Sequence, residues 1–313
     1  MKTVLKKSAT FIFTVLLVTF FVFIAFELIP GDAATARLGI NATPEALAKL
    51  REELGLTRPF FVRYFSWLAS FFFGDMGTSY SYGVSVRSML AQKLPITITL
   101  TLMSFVFTVA ISIPLGLLTS KYEDRAASTV LDVAGQLTMS IPPFFLGILV
   151  TYVFGMILHM FTPGGFVSYN VNFARFIGYL VFPAISIALP KAAMSTKLLK
   201  TSILSERNLD YVRSAYSRGN STMDVLYKHV LKNAIIPVIT FLGMTLADIV
   251  AGSLVIEQVF SIPGYGRLLI SSIANRDYPV VQAIIAIIAM IVIVINLLVD
   301  ILYRVLDPRL RDN

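Results

Sequence analysis

Long uncharged stretches alternate along the chain with shorter segments that carry most of the charge. A bilayer core about 30 Å thick is crossed by about 20 mostly apolar residues in a helix, because a helix satisfies its own backbone hydrogen bonds. Six stretches meet this requirement: residues 9–26, 94–120, 133–159, 176–190, 233–256 and 280–299. The fourth is extended to about residue 196 by letting Lys191 reach towards the membrane surface. The pattern predicts an all-α membrane protein with six transmembrane helices.

The first span follows three lysines, so a cleaved signal peptide is the alternative to a membrane anchor. Its apolar stretch, residues 9–26, is longer than the roughly 7 to 15 residues of a signal-peptide core. We therefore expect the first span to be retained as a transmembrane helix.

Lysine and arginine predict the orientation of the spans, because these residues concentrate in short cytoplasmic loops. With the N-terminus inside, the predicted cytoplasmic segments hold sixteen of them and the two short outer loops hold three. The seven in the long segment 31–93 carry little weight, because loops beyond about 60 residues follow the rule poorly. Both termini are therefore expected in the cytoplasm.

Composition excludes several classes of function. Of the 313 residues, 56% are hydrophobic and only 14% are charged, which is not the balance of a soluble protein. The net charge of +8 is better explained by membrane topology than by binding to nucleic acid. The absence of cysteine and the presence of only two histidines leave little for a metal site. No phosphate-binding GxxxxGK[ST] motif is present, so we expect neither a cofactor nor enzymatic ATP hydrolysis by this chain.

The predicted outer segment, residues 31–93, contains helix signals and is not a simple linker. Thr43-Pro44-Glu45 combines an N-cap, a proline suited to the first turn and an acidic residue. Leucines at 47, 50 and 54 form one apolar face, and Gly55 is suited to the C-terminal end. The aromatic stretch 60–73 is typical of an amphipathic helix on the outer leaflet, and a docking surface for an outer partner is the alternative.

The segment of about residues 197–232 is the longest predicted cytoplasmic loop. Residues 220–222 follow Gly219 and are typical of a turn that leads into a helix. Apolar side chains then recur at helical spacing between residues 225 and 230. We expect a short helix packed against another element, and a solvated basic loop is the alternative.

This loop carries a recognisable family motif. Residues 210–219 read DYVRSAYSRG, residues 229–234 read HVLKNA, and Pro237 follows. The run resembles the cytoplasmic EAA loop of ABC importer permeases, in the form found in the dipeptide, oligopeptide and nickel permease family. The Glu-Ala-Ala triplet is degenerate in that form, and Arg213-Ser214-Ala215 stands in its place here.

Further matches to this family extend over nearly the whole chain. They are residues 41–45 with 52–56, 74–79, 140–144, 256–266, 276–282 and 307–309. Each match is weak alone, and their order and spacing make the resemblance specific.

The resemblance implies a type I ABC importer permease in a bacterial or archaeal cell membrane. The expected parts are a cytoplasmic tip and first helix (1–30), a helical extracytoplasmic segment (31–93), a permease core (94–303) and a cytoplasmic tail (304–313). The implied partners are a second, homologous permease in a heterodimer, two cytoplasmic ATP-binding subunits and an extracytoplasmic substrate-binding protein. Peptides are the expected substrates, because the family handles di- and oligopeptides most often, and nickel or metal-chelator complexes are the alternative.

Three groups of residues are candidates for function. Contact with the ATP-binding subunits is implied for Tyr211, Arg213, Ala215, Gly219, Val225, Leu226 and His229. Contact with the binding protein is expected for Arg51, Arg58 and Trp67.

The third group, Asp248 and Glu257, is expected to lie on the translocation path. A charge in mid-membrane costs about 2.5–3.5 kcal/mol on insertion scales and is a functional candidate by default. A hydrogen bond to a neighbouring helix is the alternative for Asp248. An ion pair with a loop arginine such as Arg276 is the alternative for Glu257.

Two other classes of membrane protein are not supported by the sequence. An ion-coupled transporter that acts alone is expected to show internal repeats and several buried charges at matching positions, and neither pattern is found in the sequence. A membrane protease is expected to carry a catalytic motif such as HExxH, which the sequence lacks.

Overall fold

Helices form nearly all the regular structure in the residues that the computed structural model describes, which are 2–28, 33–38, 42–53 and 55–306. In chain order they are α1 (Lys2–Glu27), α2 (Ala33–Leu38), α3 (Pro44–Glu53), α4 (Phe60–Phe72), α5 (Val86–Lys121), α6 (Ala126–Ser140), α7 (Pro143–Val150), α8 (Phe173–Arg207), α9 (Asp210–Ser217), α10 (Thr222–Asp224), α11 (Leu231–Val259), α12 (Tyr265–Ala274) and α13 (Tyr278–Leu306). Two π-helical segments, Thr151–Ile157 and Val225–Val230, continue α7 and α10. Leu54 and the motif at 307–309 lie outside the described residues.

Five helical spans of the described chain are long and apolar enough to cross a membrane. They are Ala9–Glu27, Val86–Lys121, Phe173–Arg207, Thr222–Val259 and Tyr278–Ile301. They match five of the six spans predicted from the sequence. Thus the all-α membrane fold is confirmed.

The remaining predicted span, residues 133–159, is not one straight helix. Helix α6 and the pair formed by α7 and its π-helical segment meet at an angle of 105°. At the junction Ile141 and Pro142 are extended, with ψ of 124° and 139°. A proline drives the residue before it out of the helical region, so two successive prolines end α6 and begin α7. Six crossings result only if this bent pair counts as one.

Helix α8 is longer than the sequence predicted. The expected span ended near residue 196, whereas the helix continues to Arg207 and includes the start of the predicted loop. Pro183 and Pro190 lie inside it, both buried. Proline is tolerated in membrane helices where neighbouring groups satisfy the freed carbonyls. Helix α8 packs against α6, α7 and α11 and forms the centre of its unit.

The chain divides into two compact units, the first of which comprises residues 1–96 and 263–294. In this unit α4 packs on α1 through aromatic side chains. The ring centroid of Tyr64 lies 5.3 Å from that of Phe20 and 5.6 Å from that of Phe23. The helix predicted over the aromatic stretch is therefore confirmed, and the face that carries Tyr64 is buried.

The predicted cap of α3 is also present in this unit. The side-chain oxygen of Thr43 accepts a hydrogen bond from the backbone nitrogen of Ala46 at 3.3 Å. Gly55 follows the helix with a φ of +66°, a value that glycine adopts without strain.

A buried carboxylate joins two distant segments of the first unit. Asp277, just before α13, is fully buried. It accepts hydrogen bonds from the Ser79 hydroxyl and, at 2.9 Å, from the backbone nitrogen of Tyr80. These contacts hold the loop after α4 at the start of α13.

The second unit comprises residues 97–262 and 295–313. Lys200 of α8 connects to α6, because its Nζ lies 2.6 Å from Asp132 Oδ2 and 3.2 Å from Ser128 Oγ. A hydrophobic core lies near the C-terminal end of α8. Its buried members are Leu199, Ile203, Val212, Ala215, Val225, Leu226, Val230, Ala234, Val238 and Leu242.

Candidate functional site

The predicted loop 197–232 is folded throughout and has a buried side. Helix α9 buries Val212 and Ala215 in the core just described, which also contains Leu199 and Ile203 of α8. The spacing of three residues puts the two α9 side chains on one face of the helix. The expected packed helix is therefore confirmed, and the solvated basic loop is not what the chain forms.

A tight turn follows α9. Gly219 has a φ of +81°, which side chains with a Cβ rarely adopt. Its backbone nitrogen donates to the Tyr216 carbonyl at 2.9 Å, and Asn220 Nδ2 donates to the Ala215 carbonyl at 2.9 Å. Ser221 then caps the next helix, since its side chain accepts from the backbone nitrogen of Asp224 at 3.2 Å. The sequence prediction of a glycine-dependent turn into a helix N-terminus is confirmed.

Tyr211 connects α9 to both neighbouring long helices. Its hydroxyl donates a hydrogen bond to the Glu206 carboxylate at the end of α8. Asn233 of α11 donates its Nδ2–H to the same hydroxyl at 3.1 Å. Burial raises the pKa of the Tyr211 phenol above its ordinary value of 10.0, and the hydrogen bond to Glu206 raises that pKa further. The phenol therefore stays protonated as a donor at neutral pH.

The seven predicted coupling residues fall into two groups. Ala215, Val225 and Leu226 are buried in the core, so they support the surface and are not part of it. The exposed or half-exposed ones are Tyr211, Arg213, Gly219 and His229.

The exposed side of this segment carries large apolar side chains that the sequence prediction missed. They are Leu209, Tyr216, Met223 and Tyr227, each more than 40% exposed. Helical spacing offered no signal for Tyr216, because residues four apart, such as 212 and 216, lie on the same face of a helix. We call Leu209, Tyr211, Tyr216, Met223 and Tyr227 the coupling surface.

Asp248 forms an ion pair that the sequence did not predict. Lys191 Nζ of α8 lies 2.7 Å from Asp248 Oδ2 of α11. The Asp248 side chain is 64% exposed and the Lys191 side chain is 27% exposed. Lys191 thus binds a neighbouring helix, where the sequence prediction had it reach towards the membrane surface.

Glu257 has a different setting from Asp248, although both lie on α11. Its side chain is fully buried and accepts a hydrogen bond from Thr97 Oγ1 of α5 at 2.6 Å. Glu257 therefore packs between helices of the second unit and does not face the surface that exposes Asp248.

The three residues expected to contact a binding protein lie in the first unit. Trp67 is half-buried between Phe23 and Phe71, with ring centroids 5.7 Å away on each side. Arg58 is exposed and, with Trp67, lines a cleft of about 620 Å³. Arg51 is exposed in the last turn of α3. The structure brings Arg58 and Trp67 to one cleft.

Among the residues that the structure describes, no group of three or more His, Asp or Glu side chains is arranged to hold a metal ion.

Two family models match the chain. Residues 112–312 match the "Binding-protein-dependent transport system inner membrane component" model. Residues 1–101 match its N-terminal counterpart, the "Binding-prot-dependent transport system membrane comp, N-term" model. Together the two models cover almost the entire chain.

Curated relatives match over almost their full lengths. The oligopeptide transport system permease protein AppB of Bacillus subtilis is 34% identical over 310 residues, 98% of each chain. The glutathione transport system permease protein GsiC of Salmonella typhi is 32% identical over 308 residues, again 98% of each. The solved structure of the MetNI methionine ABC transporter in inward-facing conformations aligns with a TM-score of 0.56. That alignment covers 70% of this chain and 96% of the other at 17% identity, which shows a shared fold alone.

Proposed function

Because the chain belongs to the family of inner membrane components of binding-protein-dependent transport systems, we propose that it is the multi-pass permease subunit of a peptide importer. The observation that carries this proposal is the full-length match to relatives named for peptide transport. AppB is named for oligopeptides, and GsiC for glutathione, itself a tripeptide.

We propose that the subunit works in a complex. A second, homologous permease would complete the path, two ATP-binding subunits would supply the energy, and an extracytoplasmic binding protein would deliver the peptide. The termini of the chain would be cytoplasmic, which the basic residues of the inner segments support, fifteen of them without Lys191.

The coupling surface is proposed to dock on an ATP-binding subunit. Large apolar and aromatic side chains that are exposed around a rigid core are typical of a binding site for a protein partner. The core beneath α9 connects this surface directly to α8 and α11. A movement of the docked subunit would therefore be transmitted to two membrane-spanning helices.

The exposed face of α11 is proposed to line the translocation path. Exposed positions recur along it with helical spacing at Pro237, Met244, Asp248, Ala251, Val255 and Gln258. A lipid-facing position would leave the Asp248 carboxylate in hydrocarbon, which is costly even when it is paired. A water-filled path shared with the second permease removes that cost. Glu257 is buried, and we propose that it fixes the position of α11 beside the path.

A cross-linking experiment tests the proposed docking and orientation. The chain contains no cysteine, so a single substitution gives this subunit one thiol. We expect Tyr216→Cys to cross-link to an ATP-binding subunit in the assembled complex. Phe173→Cys, at the other end of α8 and 66% exposed, is the matched control.

An impermeant thiol reagent applied to intact cells should label Phe173→Cys and not Tyr216→Cys. Cross-linking of the ATP-binding subunit through Phe173→Cys alone would contradict the proposed coupling surface. Labelling of Tyr216→Cys alone would contradict the orientation.

Substrate class is tested on the binding protein that operates with this permease. We expect its melting temperature to rise with di- and oligopeptides and to be unaffected by nickel complexes, because only a ligand of the folded state stabilises it. Stabilisation by nickel complexes alone would replace the peptide assignment.

A further inference from the structure

The Lys191–Asp248 ion pair is asymmetric in a way that leaves the carboxylate open. Asp248 is the more exposed partner, at 64% against 27% for Lys191. A carboxylate can accept about four hydrogen bonds, and Lys191 supplies one of them to Oδ2. Within the described part of the chain no further donor approaches the Asp248 carboxylate. Its Oδ1 is therefore available to a second cation from the exposed side.

The exposed face of α11 next to this carboxylate is apolar. On the exposed face of α11, Met244 precedes Asp248 by one turn, and Ala251 and Val255 follow it. A cation that approaches along this face has no other anionic side chain on the face to bind. Asp248 is thus a single fixed negative charge on an apolar surface, neutralised at rest by Lys191.

We propose that Asp248 is an exchange site for the primary ammonium group of the transported peptide, and that Lys191 is its resident counter-ion. This inference rests on the proposed function as a peptide permease. The lysine ammonium and the amino terminus of a peptide are the same chemical group, so one replaces the other without a change in net charge. The flexible four-carbon stem of lysine allows it to retract while the peptide binds.

The exchange lowers the energy barrier to translocation for peptides that have a free amino terminus. A free peptide amino terminus is charged near neutral pH and would have to pass an apolar surface, where an unpaired charge is costly. Pairing with Asp248 replaces the lost hydration at that point. The released Lys191 ammonium becomes available to a carboxylate of the same peptide. Weak binding of the peptide to Asp248 is sufficient, because the peptide must dissociate from this site to complete its transport.

Transport of matched peptides by the complete importer tests the site. The probes are one tripeptide with a free amino terminus and its Nα-acetylated form, delivered by the same binding protein at saturation. The rate of each variant is divided by the wild-type rate for the same peptide, so the selectivity of the binding protein cancels. We expect Asp248→Asn to slow the free peptide about three- to tenfold and to change the acetylated peptide less than twofold.

The chain supplies a matched control. Lys200 and Asp132 form an ion pair of similar length, 2.6 Å, between α8 and α6, and the Asp132 side chain is 33% exposed. Asp132→Asn should change both peptide rates by the same factor. If Asp248→Asn also changed the rates of both peptides by the same factor, the proposed exchange site would be overturned.

The exchanged double variant Lys191→Asp with Asp248→Lys separates exchange from structural support. It keeps an ion pair between α8 and α11, so a purely structural role predicts restored transport of both peptides, and that result would overturn the proposal. The exchange mechanism predicts that transport of the peptide with a free amino terminus stays slow, because an ammonium group now occupies the exposed position. If the complex with Asp248→Asn does not assemble, the double variant alone tests the proposal. A wild-type complex that moves neither peptide would contradict the proposed function itself.

Discussion

Gly116 of α5 lies directly against Leu199 of α8. A Cβ on Gly116 would come 2.7 Å from Leu199 Cδ2 and 2.9 Å from its Cβ and Cγ. The Leu199 Cβ is fixed by the backbone, so a change of rotamer could not move that atom away. Helices α5 and α8 therefore approach each other through glycine, as small residues allow in membrane proteins. Leu199 belongs to the core beneath α9, so this contact helps to fix the base of the coupling surface.

Gly116→Ala should destabilise the subunit by about 1–3 kcal/mol, because the added methyl group overpacks the α5–α8 contact. The measurement is the fraction of protein that stays soluble after heating in detergent. Gly252→Ala is the control, since a Cβ there meets nothing within 4 Å. Equal stability of Gly116→Ala and wild type would show that the helices do not meet here.

Gly219→Val should uncouple ATP hydrolysis from peptide transport. A residue with a Cβ at a φ of +81° is strained by roughly 1–2 kcal/mol, so the turn after α9 should change shape. Gly219→Asn is the matched control, because asparagine tolerates the left-handed region better. The measurement is the number of ATP molecules hydrolysed per peptide transported. Normal coupling by an assembled Gly219→Val complex would remove the turn from the mechanism.

Tyr211→Phe should loosen α9 without unfolding the subunit. The substitution removes the hydrogen bonds with Glu206 and Asn233, which should cost about 0.5–1.5 kcal/mol each. Hydrogen exchange of the backbone of residues 210–217 should become correspondingly faster. Unchanged exchange would mean that the phenol does not hold α9 in place.

The same phenol predicts a pH dependence. Its pKa in the folded state is raised above 10.0, so its stabilising contribution is complete below pH 10 and is lost as the pH rises through the raised value. Wild type should therefore show an alkaline loss of protection in α9 that Tyr211→Phe lacks. A loss that begins between pH 7 and 9 in wild type would contradict this assignment.

Arg58→Glu should reduce the stimulation of ATP hydrolysis by the substrate-loaded binding protein. Arg58 is exposed beside a cleft of the first unit, and reversal of a charge at the rim of an interface mainly slows association. Arg51→Glu should have a similar effect if α3 is part of the contact. Arg175→Glu, an exposed reversal at the start of α8, is the control. If the binding protein stimulated ATP hydrolysis equally in all three variants, the segment 31–93 would be excluded as its docking site.

Local signals predicted much of this fold. The cap at Thr43 and the turn at Gly219 follow from neighbouring residues, so sequence reasoning found both. The bend before Pro143 also had a local signal in two successive prolines, but hydropathy alone merged α6 and α7 into one span. In α8 the predicted span already ran through Pro183, and the helix is continuous there.

Long-range pairing could not be predicted. Lys191 and Asp248 are 57 positions apart, and only the packing of α8 on α11 brings them together. The same holds for Ser79 and Asp277, which are separated by 198 positions. Hydropathy located the helices but contained no information on which charged side chains face one another. Residue spacing predicted that the helix at 225–230 packs against another element, but not that Val225 and Leu226 share a core with residues of α8 and α11.

ATP-driven peptide uptake into proteoliposomes tests the central claim most directly. The vesicles contain this chain with its partner permease and ATP-binding subunits, and the binding protein is added outside with a labelled tripeptide. The account predicts accumulation of the peptide that requires both ATP and the binding protein. Accumulation of a nickel complex without any peptide uptake, or peptide uptake that needs neither ATP nor the binding protein, would contradict it.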